Sequence, residues 1–346
     1  MDYFLLALVV VACVAFALLN GMNDLSGIIA TLIATRALPA RKAQLLGALG
    51  VTFGVVFGAA KVAETVATHL VHLDRGGFTG APALAVWLGG ISGAVVWGLA
   101  ARKLGVPTSA THAFVGSLCG ATMLASRQAG LINWGLDGVA KVGLGLVCSP
   151  LVGGALGFLL FRGLAALLRR ATPRVEWILK RGECLAVFAQ AYSYGLNDAQ
   201  KVMGVLMGAL MATPGVSGLD PHAKFGVLLW VKLLAAGAVI VGTMIGSSKI
   251  IRTMGRGLFH VKPAEALSGQ IAAAVSVFGA SLTGAPVSST QVTSSALVGV
   301  GGAWRPRHVR WKKVREILVT WVLTFPLAAG IGAVVTWMIR LLPGAQ

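Results

Sequence analysis

The chain has 346 residues, 56 % of them hydrophobic and only 12 % charged, with 46 glycines. Soluble domains carry about 25 % charged residues, so an ordinary soluble globule is excluded, and repeated apolar runs point to an all-α protein crossing a membrane many times. The formal net charge of +18 does not call for nucleic acid as a partner, because the basic residues gather in short loops between apolar runs, the pattern that orients helices in a lipid bilayer.

In chain order, the start "MDYFLLALVV" has no basic stretch before its apolar run and does not read as a cleaved signal, so Met1 is expected to be retained, on the outside. The first apolar region covers residues 3–35 and ends at the basic turn "TRALPARK", with Arg36, Arg41 and Lys42. Runs follow at about 43–68, 82–101, 108–126 and 139–161. A dense basic segment comes next, with Arg162, Arg169, Arg170, Arg174, Lys180 and Arg181. Further runs lie at 184–212, 224–246, 264–282, 287–303 and 316–341, separated by basic loops such as "RPRHVRWKKVR". Four cysteines, Cys13, Cys119, Cys148 and Cys184, form no CxxC pair and read as small packing residues.

With every strongly basic loop on the cytoplasmic side, the segments alternate without conflict and each half has five crossing regions. An odd number makes the second half enter from the opposite side, an inverted-topology repeat. The expected organisation is a first repeat at 1–161, a basic cytoplasmic linker at 162–183 and a second repeat at 184–346. The count is about 10–12 transmembrane segments, with both termini outside. The first region of each half is too long for one span: residues 3–35 would reach about 50 Å against a hydrocarbon core of about 30 Å. Discontinuous helices are therefore expected, broken at Asn20-Gly21-Met22-Asn23 and at Gly195-Leu196-Asn197. Unwound backbone at that depth must line a cavity or be buried in protein.

Two pairs of motifs repeat across the halves. "LNGMNDLSG" (residues 19–27) and "YGLNDAQKVMG" (194–204) each place an Asn-Asp pair, Asn23-Asp24 and Asn197-Asp198, inside an apolar run. "GVPTSATHAFVG" (105–116) and "GAPVSSTQVTSSALVG" (284–299) each run from Gly and Pro through hydroxyls into an apolar helix. Pro107 aligns with Pro286, Ser109 with Ser288 and Thr111 with Thr290. Such a turn exposes N–H groups at the positive end of a helix dipole, which suits an anion. Thr108, Ser109, Thr111, Ser288, Ser289 and Thr290 add neutral donors. Carboxylates at Asp24 and Asp198 would hold the cation or proton that offsets the anion's charge. An ionisable residue at membrane depth costs about 2.5–3.5 kcal/mol on insertion scales and is a functional hypothesis by default. The plainer alternative, a cap or interhelical glue, is disfavoured by the duplication.

Around these motifs, Asn23 and Asn197 either ligate directly or satisfy backbone freed at a break. Gln200 is a candidate anion ligand, and Lys201 either ligates the anion or neutralises Asp198. Lys61 and Glu64 lie three apart on one helix face and are expected to form an internal ion pair. His112 is expected to make a structural hydrogen bond, with proton relay as the alternative.

"GMNDLSGIIATLIATRAL" and "GLNDAQKVMGVL" resemble the two Gly-x-Asn-Asp signatures of the inorganic phosphate transporter (PiT) family, and "VPTSATHAFVG" and "APVSSTQVTSS" resemble its Pro-x-Ser-Thr-Thr-His element. "AKVAET" (60–65), "GTMIGSSKIIRTMG" (242–255) and "WVLTFP" (321–326) are similar to its bacterial members. The resemblance covers nearly the whole chain. It implies an ion-coupled phosphate symporter of the bacterial inner membrane, a homodimer without cofactors and without enzymatic chemistry. It places Asn23, Asp24, Asn197, Asp198, Ser109, Thr111, Ser288, Ser289 and Thr290 at the site for phosphate and for H⁺ or Na⁺, with a Na⁺ site at Asp24 and Asp198 if sodium couples. A divalent metal travelling with phosphate stays open. Ala110 and Gln291 depart from the family pattern, standing where a threonine and the second histidine are usual. The rival readings are a sulfate or related oxyanion permease of the same superfamily and, from other classes, an anion channel or a membrane enzyme.

Overall fold

The computed structural model describes residues 1–104, 108–127, 129–215, 225–246, 248–257 and 259–343. Gly105, Val106 and Pro107 of the first hydroxyl motif lie outside these residues.

The described chain is built of α-helices, in two halves that repeat the same order of elements. The first half runs α1 (Asp2–Asn20), a π-helical turn (Gly21–Leu25), α2 (Ser26–Ala34), α3 (Ala40–Phe57), α4 (Lys61–Glu64), α5 (Ala81–Leu104), α6 (Ala110–Ser126) and α7 (Val139–Leu167). The second half runs α8 (Val175–Ala212), α9 (Leu229–Ile245), α10 (Ser248–Arg252), α11 (Pro263–Leu282), α12 (Ser289–Trp304) and α13 (Trp311–Arg340). Every apolar run read from the sequence falls on one helix or one bent helix pair. The segment 162–183 is mostly helix: α7 reaches Leu167 and α8 begins at Val175. Its lysines and arginines therefore decorate helix ends more than a loop.

The halves interlock. Helix α6 packs on α13 as α12 packs on α7, and α5 packs on α13 as α11 packs on α7. Helices α1 with α9 and α3 with α8 form the matching central pair. Among the described residues five helices are long and apolar enough to cross a membrane, or up to seven if each bent pair is one span. Helix α8 is not among them because Asn197, Asp198, Gln200 and Lys201 lie in its middle. Leu151 at 68 % and Val322 at 74 % exposure show the apolar outer faces of α7 and α13, which suit lipid and not water.

The helix breaks are elsewhere than the sequence suggested. Residues 2–34 form one continuous 33-residue helical span. At its middle the π-helical turn takes up one extra residue, and Asn20, Gly21, Leu25 and Ser26 all keep right-handed helical angles. Helix α8 runs 38 residues without interruption through Gly195-Leu196-Asn197. The glycines there serve close packing. A Cβ on Gly21 would collide with the carbonyl of Val239, and one on Gly242 with that of Leu18, where α1 crosses α9. Gly195 lies against the Val51 carbonyl and Gly54, where α3 crosses α8. The true discontinuities fall in the next element of each half. The pair 40–57 and 61–69 is bent by 69°, and the pair 229–245 and 249–255 by 71°.

Candidate functional site

Helices α6 and α12 begin deep in the protein, and their starts carry the hydroxyl motifs. Ser109 and Ser288 are the N-cap residues; their side chains accept from the backbone N–H of His112 (3.1 Å) and Gln291 (3.4 Å). Each cap thus satisfies one N–H of its helix's first turn, at the helix start that the Gly-Pro-hydroxyl pattern led one to expect.

Both aspartates meet the start of α12. Asp24, on the π-helical turn, accepts from Thr290 Oγ1 at 2.7 Å. Asp198, in the middle of α8, accepts from the Ser289 hydroxyl. The two carboxylates are therefore brought to adjacent residues of one helix terminus, and both are buried, at 7 % and 1 % exposure. Lys201 is fully buried. Its ammonium donates to Asp198 Oδ1 at 2.6 Å, to the Val287 carbonyl at 2.7 Å and to the Thr111 hydroxyl. Thr111 donates in turn to the Val287 carbonyl at 2.7 Å, joining the two helix starts. At the matching positions 112 and 291, Gln291 Nε2 lies 3.2 Å from His112 Nδ1. The structural hydrogen bond expected of His112 is there, with Gln291 as its partner.

The asparagines divide. Asn197 uses its whole amide on the segment before α12: Nδ2 donates to Ser281 Oγ and the Ala285 carbonyl, and Oδ1 accepts from the Val287 N–H. It positions the α12 terminus. Asn23 is half-buried, and its Oδ1 has no hydrogen-bond partner among the described residues. Beside it, Asn20 is buried, and its Nδ2 donor has no partner among the described residues. Both line a cavity of about 30 Å³ together with Asp24, Thr290, Thr108 and Trp97, whose Nε1 donates to Thr108. That volume admits about one or two water-sized occupants. Asn20 was legible, one helical turn before Asp24; nothing in the sequence pointed to Trp97.

Gln200 and Lys61 lie apart from this centre. Gln200 Oε1 accepts from the N–H groups of Val62 and Ala63, and Nε2 donates to the Ala59 carbonyl. The side chain satisfies the backbone left open at the bend between α3 and α4. Lys61 Nζ donates to the Leu282 carbonyl at 2.9 Å, so the expected ion pair with Glu64 does not form among the described residues. Lys61 opens α4, and its side chain crosses to the end of α11 instead of following its own helix.

Chemically, the centre offers hydroxyl donors and helix N-termini for an oxyanion, and buried carboxylates for a cation or proton.

The sequence matches the profile of the "Phosphate transporter family" twice, over residues 20–181 and 166–332. It is 31 % identical over 339 residues, 97 % of each chain, to a "Probable low-affinity inorganic phosphate transporter" of Bacillus subtilis. A protein of the same description from Mycobacterium tuberculosis H37Rv is 32 % identical over 348 residues, 99 % of this chain and 80 % of the other. Another, from Rhizobium meliloti, is 33 % identical over 319 residues, covering 92 % and 91 %. A solved structure, "The sodium-dependent phosphate transporter", superposes with a TM-score of 0.88 over 98 % of this chain and 100 % of the other. At 21 % identity that likeness bears on the fold.

Proposed function

The chain belongs to the phosphate transporter family, and from that premise we propose that it imports inorganic phosphate coupled to Na⁺ or H⁺ by alternating access across the bacterial inner membrane. The chain is a transporter and not an enzyme. The observation that carries the coupled reading is the meeting of Asp24 and Asp198 at Thr290 and Ser289, the first residues of α12. An anion site alone would exclude carboxylates, since they repel an anion unless a cation or proton lies between. The solved relative is described as sodium-dependent, which supports Na⁺; carboxylates serve protons equally well.

The mechanism follows from the repeats. The oxyanion rests on the hydroxyls and N-termini of α6 and α12. The coupling cation binds at the Asp24 cavity. The bends after Phe57 and Ile245 separate elements that can rock against each other.

Phosphate is favoured over sulfate by the same acids. Phosphate retains protons at neutral pH and can donate a hydrogen bond to a carboxylate; sulfate cannot. The test is uptake of radiolabelled phosphate into proteoliposomes with excess unlabelled sulfate as competitor. Saturable uptake that persists under sulfate is the expected result. Uptake abolished by sulfate would move the assignment to an oxyanion permease of broader or sulfate specificity.

A further inference from the structure

The two acid sites occupy equivalent positions but are built differently. Asp198 is followed three residues later by Lys201, and Asp24 by Gly27. One helix face therefore presents an ammonium and the other no side chain. We propose that Lys201 is a tethered cation that fills the second-half counterpart of the Asp24 cation site. Transport then needs one mobile cation fewer than the two equivalent acids would otherwise demand. The proposal rests on the cation-coupled reading above and specifies its stoichiometry.

The surroundings of the Lys201 ammonium are a cation's coordination shell: the Asp198 carboxylate, the Thr111 hydroxyl and the Val287 carbonyl. An ammonium has three N–H donors and no acceptor, and all three find oxygen here. Carboxylate, hydroxyl and main-chain carbonyl are also the oxygens that a hard metal cation selects. Full burial leaves Asp198 without solvent to stabilise its charge, and the Lys201 ammonium beside it supplies the countercharge.

The first half lacks that countercharge. Asp24 accepts from Thr290 and makes no ion pair among the described residues. Next to it lie the small cavity and the Asn23 amide oxygen, which has no partner among the described residues. An amide oxygen and a carboxylate facing a water-sized space are ligands for a cation that comes and goes. Gly27 leaves room as well: a Cβ there would meet only Met254 at 3.5 Å and Ile250 at 3.9 Å, ordinary contact distances. One half thus carries its cation covalently, and the other takes it from solution.

The experiment measures initial phosphate uptake in proteoliposomes against external Na⁺ and, separately, against an imposed pH gradient. Wild type, Lys201→Ala and Gly27→Lys are compared, with monodisperse elution as the check on folding. For the acid pair, wild type should show a Hill coefficient of about 1 for the driving cation, and Lys201→Ala should transport with a coefficient approaching about 2 and a raised half-saturating concentration. Gly27→Lys should bind phosphate without a cation requirement. A folded Lys201→Ala protein that takes up no phosphate at any cation concentration would make Lys201 a phosphate ligand and overturn the proposal. An unchanged coefficient would do the same. If Lys201→Ala is not monodisperse, Gly27→Lys decides: cation-independent binding upholds the proposal, while wild-type cation dependence or no binding rejects it. Wild-type uptake indifferent to both cations would instead reject the coupled reading itself, and the proposal with it.

Discussion

Thr290 donates its hydroxyl to Asp24 at 2.7 Å, joining the acid of the first repeat to the helix start of the second. Hydrogen bonds to charged groups contribute about 1.5–3 kcal/mol. Thr290→Val should therefore lower initial phosphate uptake by about 10-fold or more, with Thr290→Ser retaining most of it. The comparison of the two variants in proteoliposomes separates the hydroxyl from the methyl group.

Gln200 holds the bend that opens α4. Gln200→Leu removes the acceptor for two buried N–H groups and the donor to the Ala59 carbonyl. An unsatisfied buried group costs about 1–3 kcal/mol, so thermal unfolding in detergent should shift down by several degrees. Gln200→Glu keeps the acceptor and should fall between wild type and Leu. If Gln200 bound phosphate instead, Gln200→Leu would raise KM at unchanged stability.

The crossing of α3 and α8 depends on paired glycines. A Cβ on Gly195 would sit 2.6 Å from the Val51 carbonyl oxygen and 3.1 Å from Gly54 Cα. Main chain cannot yield as a flexible side chain can. Gly195→Ala should destabilise the protein by about 1–3 kcal/mol, the usual cost of overpacking, read as a lowered unfolding temperature. Gly130→Ala, where a Cβ meets nothing within 4 Å, is the control that should leave it unchanged.

The His112–Gln291 contact predicts a pairwise effect. Gln291→Leu should leave His112 Nδ1 without its partner at 3.2 Å and lower uptake several-fold. His112→Leu alone should do the same. The double variant should lose less than the product of the two, because neither group is then left unsatisfied. A double-mutant cycle on initial rates measures this coupling.

Much of this molecule was legible in its sequence. Apolar length and the basic loops placed the long apolar helices, though not the helical ends within 162–183 or α10, and the duplicated Asn-Asp and Ser/Thr motifs pointed to both acids and both helix starts. Two kinds of error arose where a residue has more than one physical use. Gly21 and Gly195 read as helix breakers, yet a glycine also permits close helix crossing, and that is its use here. The true bends, after Phe57 and Ile245, also carry a glycine each, Gly58 and Gly246, the latter at positive φ. Gln200 read as a candidate anion ligand, and Asn197 as either a ligand or a partner for freed backbone, because polar groups at membrane depth are costly. They are spoken for by main chain that only the three-dimensional fold brings near. Lys201 was left open between neutralising Asp198 and binding the anion; the geometry puts it on Asp198, Thr111 and Val287 at once.

The most direct test of the coupled mechanism is phosphate accumulation in proteoliposomes under an imposed inward Na⁺ or proton gradient, comparing wild type with Asp24→Asn. The account predicts saturable accumulation in wild type that follows one of the two gradients, and loss of that dependence in Asp24→Asn. Flux that ignores both gradients and is unaffected by the substitution would contradict it and describe an anion channel.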